Sequence, residues 1–299
     1  MPKIGQDLVM AGSDYAYPPP SDGRPFRLMM GLRTMPAENW IETGPELTGQ
    51  LLEREQLIST KRAQVFGELP GYQDPATKFA ELILDNLNEF HAAEYLVSKD
   101  SVVTHLPSQR TVDVFQDHPF LQLAKVIGED LCLISKVENQ WLLTAAAVIY
   151  PSRWQLAEKL GKNLDQIHNP VPGYQEVLQP AMSLTFDKLS SDRQVWRLNW
   201  ALHQEPILHQ PTAESQTANP ADYWWRTERQ TLTKLVDGDH VLFTIRNRVE
   251  PLAQLLAQPA NAHAFAQTLQ TMTPETIAYK GLTKDHQALV DYLMSRQIS

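Results

Sequence analysis

The chain contains 299 residues with a formal net charge of −9 at pH 7, a length that allows one large domain or two modest ones. Because the chain is acidic and has no local run of lysines or arginines, a phosphate backbone would be repelled, which excludes nucleic acid as a partner class. Cys132 is the only cysteine, which excludes a disulfide framework, a zinc motif of paired cysteines and a cysteine-ligated iron–sulfur cluster within this chain.

The amino-terminal segment predicts an arm on a cytoplasmic protein. Residues 1–7 lack the basic-then-apolar pattern of a signal peptide, and no apolar run approaches the length of a membrane span. Residues 1–25 have little periodic hydrophobicity and many turn formers, so we expect an arm that lies on a single domain formed by residues 26–299. We expect no association with a membrane.

Two amphipathic helices are predicted to form a pair after the arm. The first begins after Pro45 and has leucines at helical spacing. The second follows Asp74 and Pro75, which have the pattern of an N-cap with proline at the first helical position. Residues 99–117 are mixed and polar, and His118 is expected to open a short helix.

Five antiparallel strands with helices on one side predict an α+β fold. Residues 131–135 and 141–150 are apolar runs around a polar turn, which is typical of a hairpin. Residues 195–202 alternate large apolar and polar side chains, the period of a half-buried strand. Residues 223–235 and 241–246 flank an Asp-Gly-Asp turn signal and predict a second hairpin. The remaining carboxyl-terminal chain is expected to be helical.

Residues 150–174 concentrate a tryptophan, an arginine and a proline-braced histidine immediately after an apolar run. The first half of this segment is predicted to form a short helix that Gly161 ends. Proline fixes its own φ and restricts the residue before it, so Pro170 and Pro172 would hold the backbone beyond His168 in one shape. A stiff loop can aim an imidazole at a metal or a substrate.

The nine histidines are the candidate metal ligands. His168 is the first choice because of its bracing by prolines. The alternative is that its ring caps a helix or bonds a carbonyl and only stabilises the loop. His118 is the runner-up, because Pro119 fixes the backbone after it. The sequence has neither HxxxH nor HExxH spacing, which would have been a stronger metal signal.

The segment PSRWxLxEKLGxxLxxIHxPVPGY, which spans residues 151–174, resembles the family of the haem-dependent oxidative N-demethylase alpha subunit. Residues 229–232 and 243–246 add to the resemblance, which runs from about Phe26 to the carboxyl terminus. The resemblance implies a PAS-like core, a haem b cofactor and a monooxygenase-type oxidoreductase that oxidises a small secondary amine with O2 and releases formaldehyde. Since CxxCH is missing, the haem would be held non-covalently.

The family also implies partners, because electrons would arrive from NADPH through subunits that carry FMN and a 2Fe–2S cluster. This chain has no Gly-rich phosphate loop of the Rossmann or Walker kind, so it lacks sites of those types for nicotinamide or flavin.

The resemblance and the residue types together give the candidate site. His168 is the expected iron ligand. The other expected haem contacts are Arg153, Trp154, Pro170, Val171, Pro172, Arg197, Arg226 and Arg229. The polar groups expected near the amine are Glu158, Asn199 and Glu228. Arginine suits the haem propionates, although surface ion pairs and core packing would explain the same arginines and tryptophans.

A second hypothesis belongs to another functional class. A PAS-like haem or small-ligand sensor, or a binding protein, would keep the fold without turnover, since fold does not determine function. Release of formaldehyde distinguishes the enzyme from the sensor.

Overall fold

The computed structural model describes residues 15–214 and 217–295, and the first part of the predicted arm, residues 1–14, lies outside them. The architecture is α+β, with one antiparallel sheet of seven strands and a second sheet of three. The strands are β1 (Arg33–Met35), β2 (Phe66–Glu68), β3 (Tyr95–Val97), β4 (Val102–His105), β5 (Arg110–Asp113), β6 (Glu129–Val137), β7 (Gln140–Ala147), β8 (Gln194–His203), β9 (Trp224–Lys234) and β10 (His240–Pro251).

The α-helices lie between strands in the chain or follow the last strand. They are α1 (Leu47–Val65), α2 (Gln73–Phe90), α3 (Pro119–Leu123), α4 (Leu164–His168), α5 (Gln179–Lys188), α6 (Pro259–Gln270), α7 (Pro274–Tyr279) and α8 (His286–Met294). None of the helices within residues 15–214 and 217–295 combines the length and the apolar character that crossing a membrane requires.

The large sheet has the order β1-β8-β9-β10-β6-β7-β2. Its centre is built from two hairpins. Glu138 and Asn139 join β6 to β7 with φ of 48° and 65°, the left-handed conformation whose twist matches the flanking strands. Gly238, with φ of 83°, lies in the turn between β9 and β10. The predicted hairpins are therefore confirmed.

The prediction of about five strands was wrong for the sheet as a whole. The five predicted strands are β6 to β10, and β1 and β2 add one strand at each edge. Each edge strand has three residues, too few to give a recognisable alternation, and pairing with β8 or β7 defines them. Two strands of the small sheet, β4 and β5, form within residues 99–117, which we expected to be mixed and polar.

Helices cover both faces of the large sheet, whereas helices on one side were predicted. Successive residues of β6 point to opposite faces. Leu133 packs in a core with α1 and α2, and its neighbour Cys132 packs in another core with Leu164 of α4 and Phe186 of α5. The segment that contains His168 thus lies on the opposite face from the amino-terminal helical pair.

Several helix boundaries also differ from the predictions. Helix α2 begins at Gln73 with Tyr72 as its N-cap, so Asp74 lies in the first turn, where a carboxylate favours the helix dipole. The helix expected before Gly161 is only a 3-10 turn, Leu156–Glu158. The helix expected after Tyr174 begins as a π-helical turn, Tyr174–Leu178, and continues as α5.

The carboxyl-terminal helices form a third core at one end of the sheet. There α6 and α8 pack against Trp225 of β9. The described part of the arm is tied to the same end, because Trp225 Nε1 donates to Tyr17 O at 2.7 Å and the Tyr15 hydroxyl donates to Pro251 O at 2.7 Å.

Candidate functional site

A group of polar side chains lies on the face of β8 and β9 that looks towards residues 150–174. The strand register pairs Arg197 with Gln230 and Asn199 with Glu228, so all four side chains share one face of the sheet. All four are half-buried. Together with two residues of the facing segment they form what we call the polar cluster: Lys159, His168, Arg197, Asn199, Glu228 and Gln230.

His168 is the last residue of α4, and its ring has one engaged and one free nitrogen. Nδ1 lies 2.7 Å from the carbonyl oxygen of Leu164. A carbonyl only accepts, so Nδ1 carries the proton and Nε2 has the lone pair. Nε2 has no hydrogen bond within the described part of the chain. The ring also stacks on Tyr174, with centroids 5.5 Å apart and planes at 16°.

The electrostatic surroundings keep His168 neutral. Burial lowers the pKa of this imidazole below its ordinary value of 6.5, and the hydrogen bond to Leu164 opposes the shift. The positive charges of Lys159 and Arg197 lower the pKa further. A neutral imidazole with a free Nε2 is the form that binds a metal.

The short helix α4 is held by a capping box. The Asn163 side chain accepts from the backbone N–H of Gln166 at 2.8 Å, and the Gln166 side chain accepts from the backbone N–H of Asn163 at 3.0 Å. After the helix, the N–H of Val171 donates to His168 O at 2.8 Å. The geometry around the imidazole is therefore set by local bonds on both sides.

Glu228 is the only carboxylate of the polar cluster. Its Oε2 accepts from Asn199 Nδ2 at 3.1 Å and from Gln230 Nε2 at 2.9 Å. Its negative charge raises the pKa of both Lys159 and Arg197 against the opposing effect of burial. The carboxylate is thus oriented by two amides and faces cations from both sides of the cluster.

The two cations of the cluster have few partners of their own. Nε of Arg197 is buried without a hydrogen-bond partner within residues 15–214 and 217–295. The Lys159 ammonium lies 4.5 Å from the ring centroid of Trp154, a cation–π contact. Burial without a full set of partners costs free energy, so an anionic group placed here would be stabilised.

Apolar side chains that are only partly buried lie on the same face of the sheet as the polar cluster. They pack against the core shared by β6, α4 and α5, and each keeps some exposed surface. These residues are Leu28, Met30, Leu32, Trp154, Ile167, Val171, Val195 and Phe243. The site therefore combines an apolar border with a polar floor, as ligand sites commonly do.

Arg153 lies beside this site, and each of its three side-chain nitrogens bonds a protein group. Its Nε bonds Glu214 at 2.8 Å, and its two terminal nitrogens donate to Lys280 O at 2.6 Å and Leu202 O at 2.8 Å. These bonds hold the backbone of Arg153 at φ of 61°, a conformation that residues other than glycine rarely adopt.

Arg226 and Arg229 lie within the sheet core. Arg226 donates to the carbonyl oxygens of Leu208 at 2.9 Å and Tyr150 at 2.7 Å. Arg229 pairs with Glu42 at 2.7 Å and donates to Trp40 O at 2.7 Å. Their guanidinium groups hold the scaffold, and the predicted haem contacts of these two arginines and of Arg153 stay predictions.

The structure brings His168, Trp154, Val171, Arg197, Asn199 and Glu228 to one site. Glu158 and Pro170 are exposed at its outer side, and Pro172 is half-buried next to Val171. Sequence reasoning missed Lys159 and Gln230. Lys159 lies inside the quoted motif, and Gln230 lies two residues from Glu228 on the same face of β9, so the strand period was the available signal.

The runner-up, His118, has both ring nitrogens engaged. Nδ1 accepts from the N–H of Phe120 at 3.2 Å and Nε2 lies 3.2 Å from Glu68 Oε1. Across the described residues no group of three or more histidine, cysteine, aspartate or glutamate side chains is arranged to hold a metal ion. A single histidine ligand is compatible with a haem iron, because the porphyrin would supply the other nitrogen ligands of the metal.

A cavity of about 370 Å³, lined by polar residues, lies against α4, the helix that ends at His168. Its lining includes Asp165 and Tyr174, and the Tyr174 hydroxyl donates to Asp165 at 2.6 Å. His168 and Arg197 are not part of this lining. No member of the polar cluster lines this cavity, so the two are separate features.

A comparison with known protein families matches residues 31–290 to the family described as haem-dependent oxidative N-demethylase, alpha subunit-like. The match covers most of the chain and includes every member of the polar cluster. It confirms the resemblance carried by residues 151–174. The chain therefore belongs to the haem-dependent oxidative N-demethylase, alpha subunit-like family.

Proposed function

We propose that this chain is the haem-binding catalytic subunit of an oxidative N-demethylase, with His168 as the iron ligand. The observation that supports this most directly is the hydrogen bond from Nδ1 to Leu164 O, which leaves the Nε2 lone pair free for a haem iron. Membership of the family supports the haem itself.

The residues around His168 fit a non-covalent haem b. Arg197 and Lys159 offer N–H donors for the propionates. Both cations are half-buried, and Nε of Arg197 has no hydrogen-bond partner in the described residues, so binding an anion would stabilise them. Trp154 and Val171 offer apolar contacts for the porphyrin. The site thus has a ligand, cations and an apolar border within one face of the sheet.

The bound haem would supply activation of O2 and oxidation of a C–H bond next to the amine nitrogen. The overall reaction consumes O2, two electrons and two protons, and it yields the demethylated amine, formaldehyde and water. We propose NADPH as the electron source, with FMN and a 2Fe–2S cluster on partner subunits, in keeping with an alpha-subunit-like family.

Glu228 is the residue we propose to bind the amine. Small secondary amines are cationic at neutral pH, and a carboxylate oriented by Asn199 and Gln230 suits an ammonium group. Glu228 can also accept the proton that the amine loses. Glu158, the other carboxylate predicted near the amine, is exposed, and its role stays a prediction.

Three broader statements belong to the same proposal. We propose a PAS-like core, a single domain over residues 26–299 with an arm over residues 1–25, and a cytoplasmic location. The single seven-stranded antiparallel sheet supports the PAS-like core and the single domain. The one cysteine, Cys132, is buried and unpaired, which suits a reducing compartment.

The experiment is to load the purified protein with haem and to assay formaldehyde from dimethylamine under air with a chemical reductant. We expect a Soret band and formaldehyde in proportion to amine consumed. A Soret band without formaldehyde from any small secondary amine would support the sensor alternative instead. Protein that stays colourless after haem addition contradicts the proposal.

A further inference from the structure

Lys280 follows α7 and brings a third cation close to the polar cluster. Its side chain is buried, with 8% of its surface exposed. Nζ donates to Trp200 O at 2.9 Å and lies 4.0 Å from the centroid of the Trp200 ring and 5.5 Å from that of Phe26. The backbone of Lys280 is held by Arg153, whose Nη1 donates to Lys280 O at 2.6 Å. Gly281 follows with φ of 71°, a conformation that favours glycine.

The charges that face Lys280 leave it short of a counter-ion. Glu228 of β9 is the one carboxylate among them, and Arg197 of β8 and Arg153 are like charges. Arg153 is neutralised by Glu214 at 2.8 Å. Glu228 is shared with Lys159 and Arg197, so positive charge exceeds negative charge in this part of the protein.

Lys280 also has donors to spare. An ammonium group has three N–H bonds, and within the described residues its one hydrogen-bond acceptor is Trp200 O. Arg197 likewise has a buried Nε without a partner in the described chain. Spare charged donors next to an aromatic wall suit a carboxylate, which accepts several charge-assisted hydrogen bonds.

We propose that Lys280, whose ammonium group lies at Trp200 of β8, forms a carboxylate-binding position beside the polar cluster. The proposal deepens the function proposed above and rests on it for the identity of the ligand. The carboxylate has two sources: a haem propionate, or the carboxylate of a substrate that is an N-methylated amino acid. In the second case Glu228 would bind the ammonium of the same molecule.

The position is pH-dependent. Burial lowers the pKa of Lys280 to about 8, while Glu228 opposes the shift and Arg153 and Arg197 add to it. The ammonium loses its charge as the pH rises through this value, so affinity for a carboxylate should fall above about pH 8. Lys280→Arg, which stays charged, should remove this inflection.

The experiment titrates haem-free protein with haem and with haem dimethyl ester, whose propionates carry no charge, and follows the Soret band. Lys280→Met is compared with the wild type, with Lys280→Arg as the conservative variant and Lys99→Met, an exposed lysine of the turn between β3 and β4, as the control. Circular dichroism confirms that each variant is folded. The haem-loaded proteins are then titrated with N-methylglycine and with dimethylamine.

Weaker binding of haem by Lys280→Met, by about ten- to a hundredfold, with unchanged binding of the ester, supports the propionate. If Lys280→Met binds haem as the wild type does, but binds N-methylglycine more weakly by a similar factor and dimethylamine equally well, the result supports the substrate carboxylate. Equal binding of all four ligands by Lys280→Met and the wild type would overturn the proposal.

If the wild type takes up no haem, the function proposed above fails separately. The carboxylate-binding position is then tested by calorimetric titration of N-methylglycine into the haem-free wild type and into haem-free Lys280→Met. Binding that Lys280→Met loses supports the position, and no difference between the two proteins overturns it.

Discussion

His168 and Glu228 owe their properties to groups that any sequence contains in abundance. A backbone carbonyl at 2.7 Å fixes the tautomer of His168. Two side chain amides orient Glu228, at 3.1 Å and 2.9 Å. Two of these three partners are not visible as a motif, because Leu164 contributes a backbone carbonyl and Asn199 comes from another strand, whereas Gln230 lies two residues from Glu228. The sequence offers His168, Asn199 and Glu228 as candidates, and only the fold shows which groups hold their side chains.

Replacing Glu228 with Gln should weaken the binding of a cationic amine. The amide keeps the shape of the side chain and removes the charge, so we expect a loss of about tenfold or more in the affinity of the haem-loaded protein for dimethylamine. A spectral titration measures it. Glu89→Gln, which changes an exposed carboxylate of α2, is the matched control and should bind as the wild type does. Equal affinity in Glu228→Gln would remove this residue from the amine site.

Elements with their own local signals were predictable, and elements defined by distant partners were not. The turns of β6–β7 and β9–β10 have residues that adopt positive φ, so both hairpins could be predicted. The edge strands β1 and β2 have three residues each and depend on pairing. Lys280 was missed for the same reason, since only the tertiary structure places the end of α7 next to β8.

Replacing Asn163 with Ala tests whether α4 positions the imidazole. The loss of the capping box should cost about 1 kcal/mol and loosen the turn that presents Leu164 O to His168. We expect a shifted Soret band and weaker haem binding. Asn219→Ala removes the cap of a 3-10 turn outside the polar cluster and should change neither. Identical spectra of the two variants would contradict a positioning role for α4.

On the scale of the whole molecule, buried charges tie the amino-terminal helices to the sheet. Arg54 of α1 and Asp130 of β6 are both fully buried and 3.0 Å apart. Arg54 also donates to Ala124 O at 2.8 Å and Glu129 O at 2.7 Å. The Asp130 carboxylate accepts from the N–H groups of Ile149 and Tyr150 at 2.9 and 3.0 Å. This network holds the end of β7 that leads into residues 150–174.

Replacing Arg54 with Met should destabilise the fold by about 3–5 kcal/mol, because Asp130 is left as an uncompensated buried charge. Urea unfolding measures the change. Arg62→Met breaks the exposed pair with Asp117, whose side chains are 48% and 39% exposed, and should cost less than about 1 kcal/mol. Similar unfolding midpoints for both variants would show that the buried pair does not hold the sheet.

The most direct test of the account is the absorption spectrum of haem-loaded His168→Gly with and without added imidazole. If Nε2 of His168 binds the iron, the variant should lose or shift the Soret band, and imidazole entering the vacated space should restore it. His286→Gly is the control, because His286 also bonds a backbone carbonyl, Leu269 O at 2.9 Å, but lies on α8. A wild-type spectrum for His168→Gly without imidazole would contradict the account.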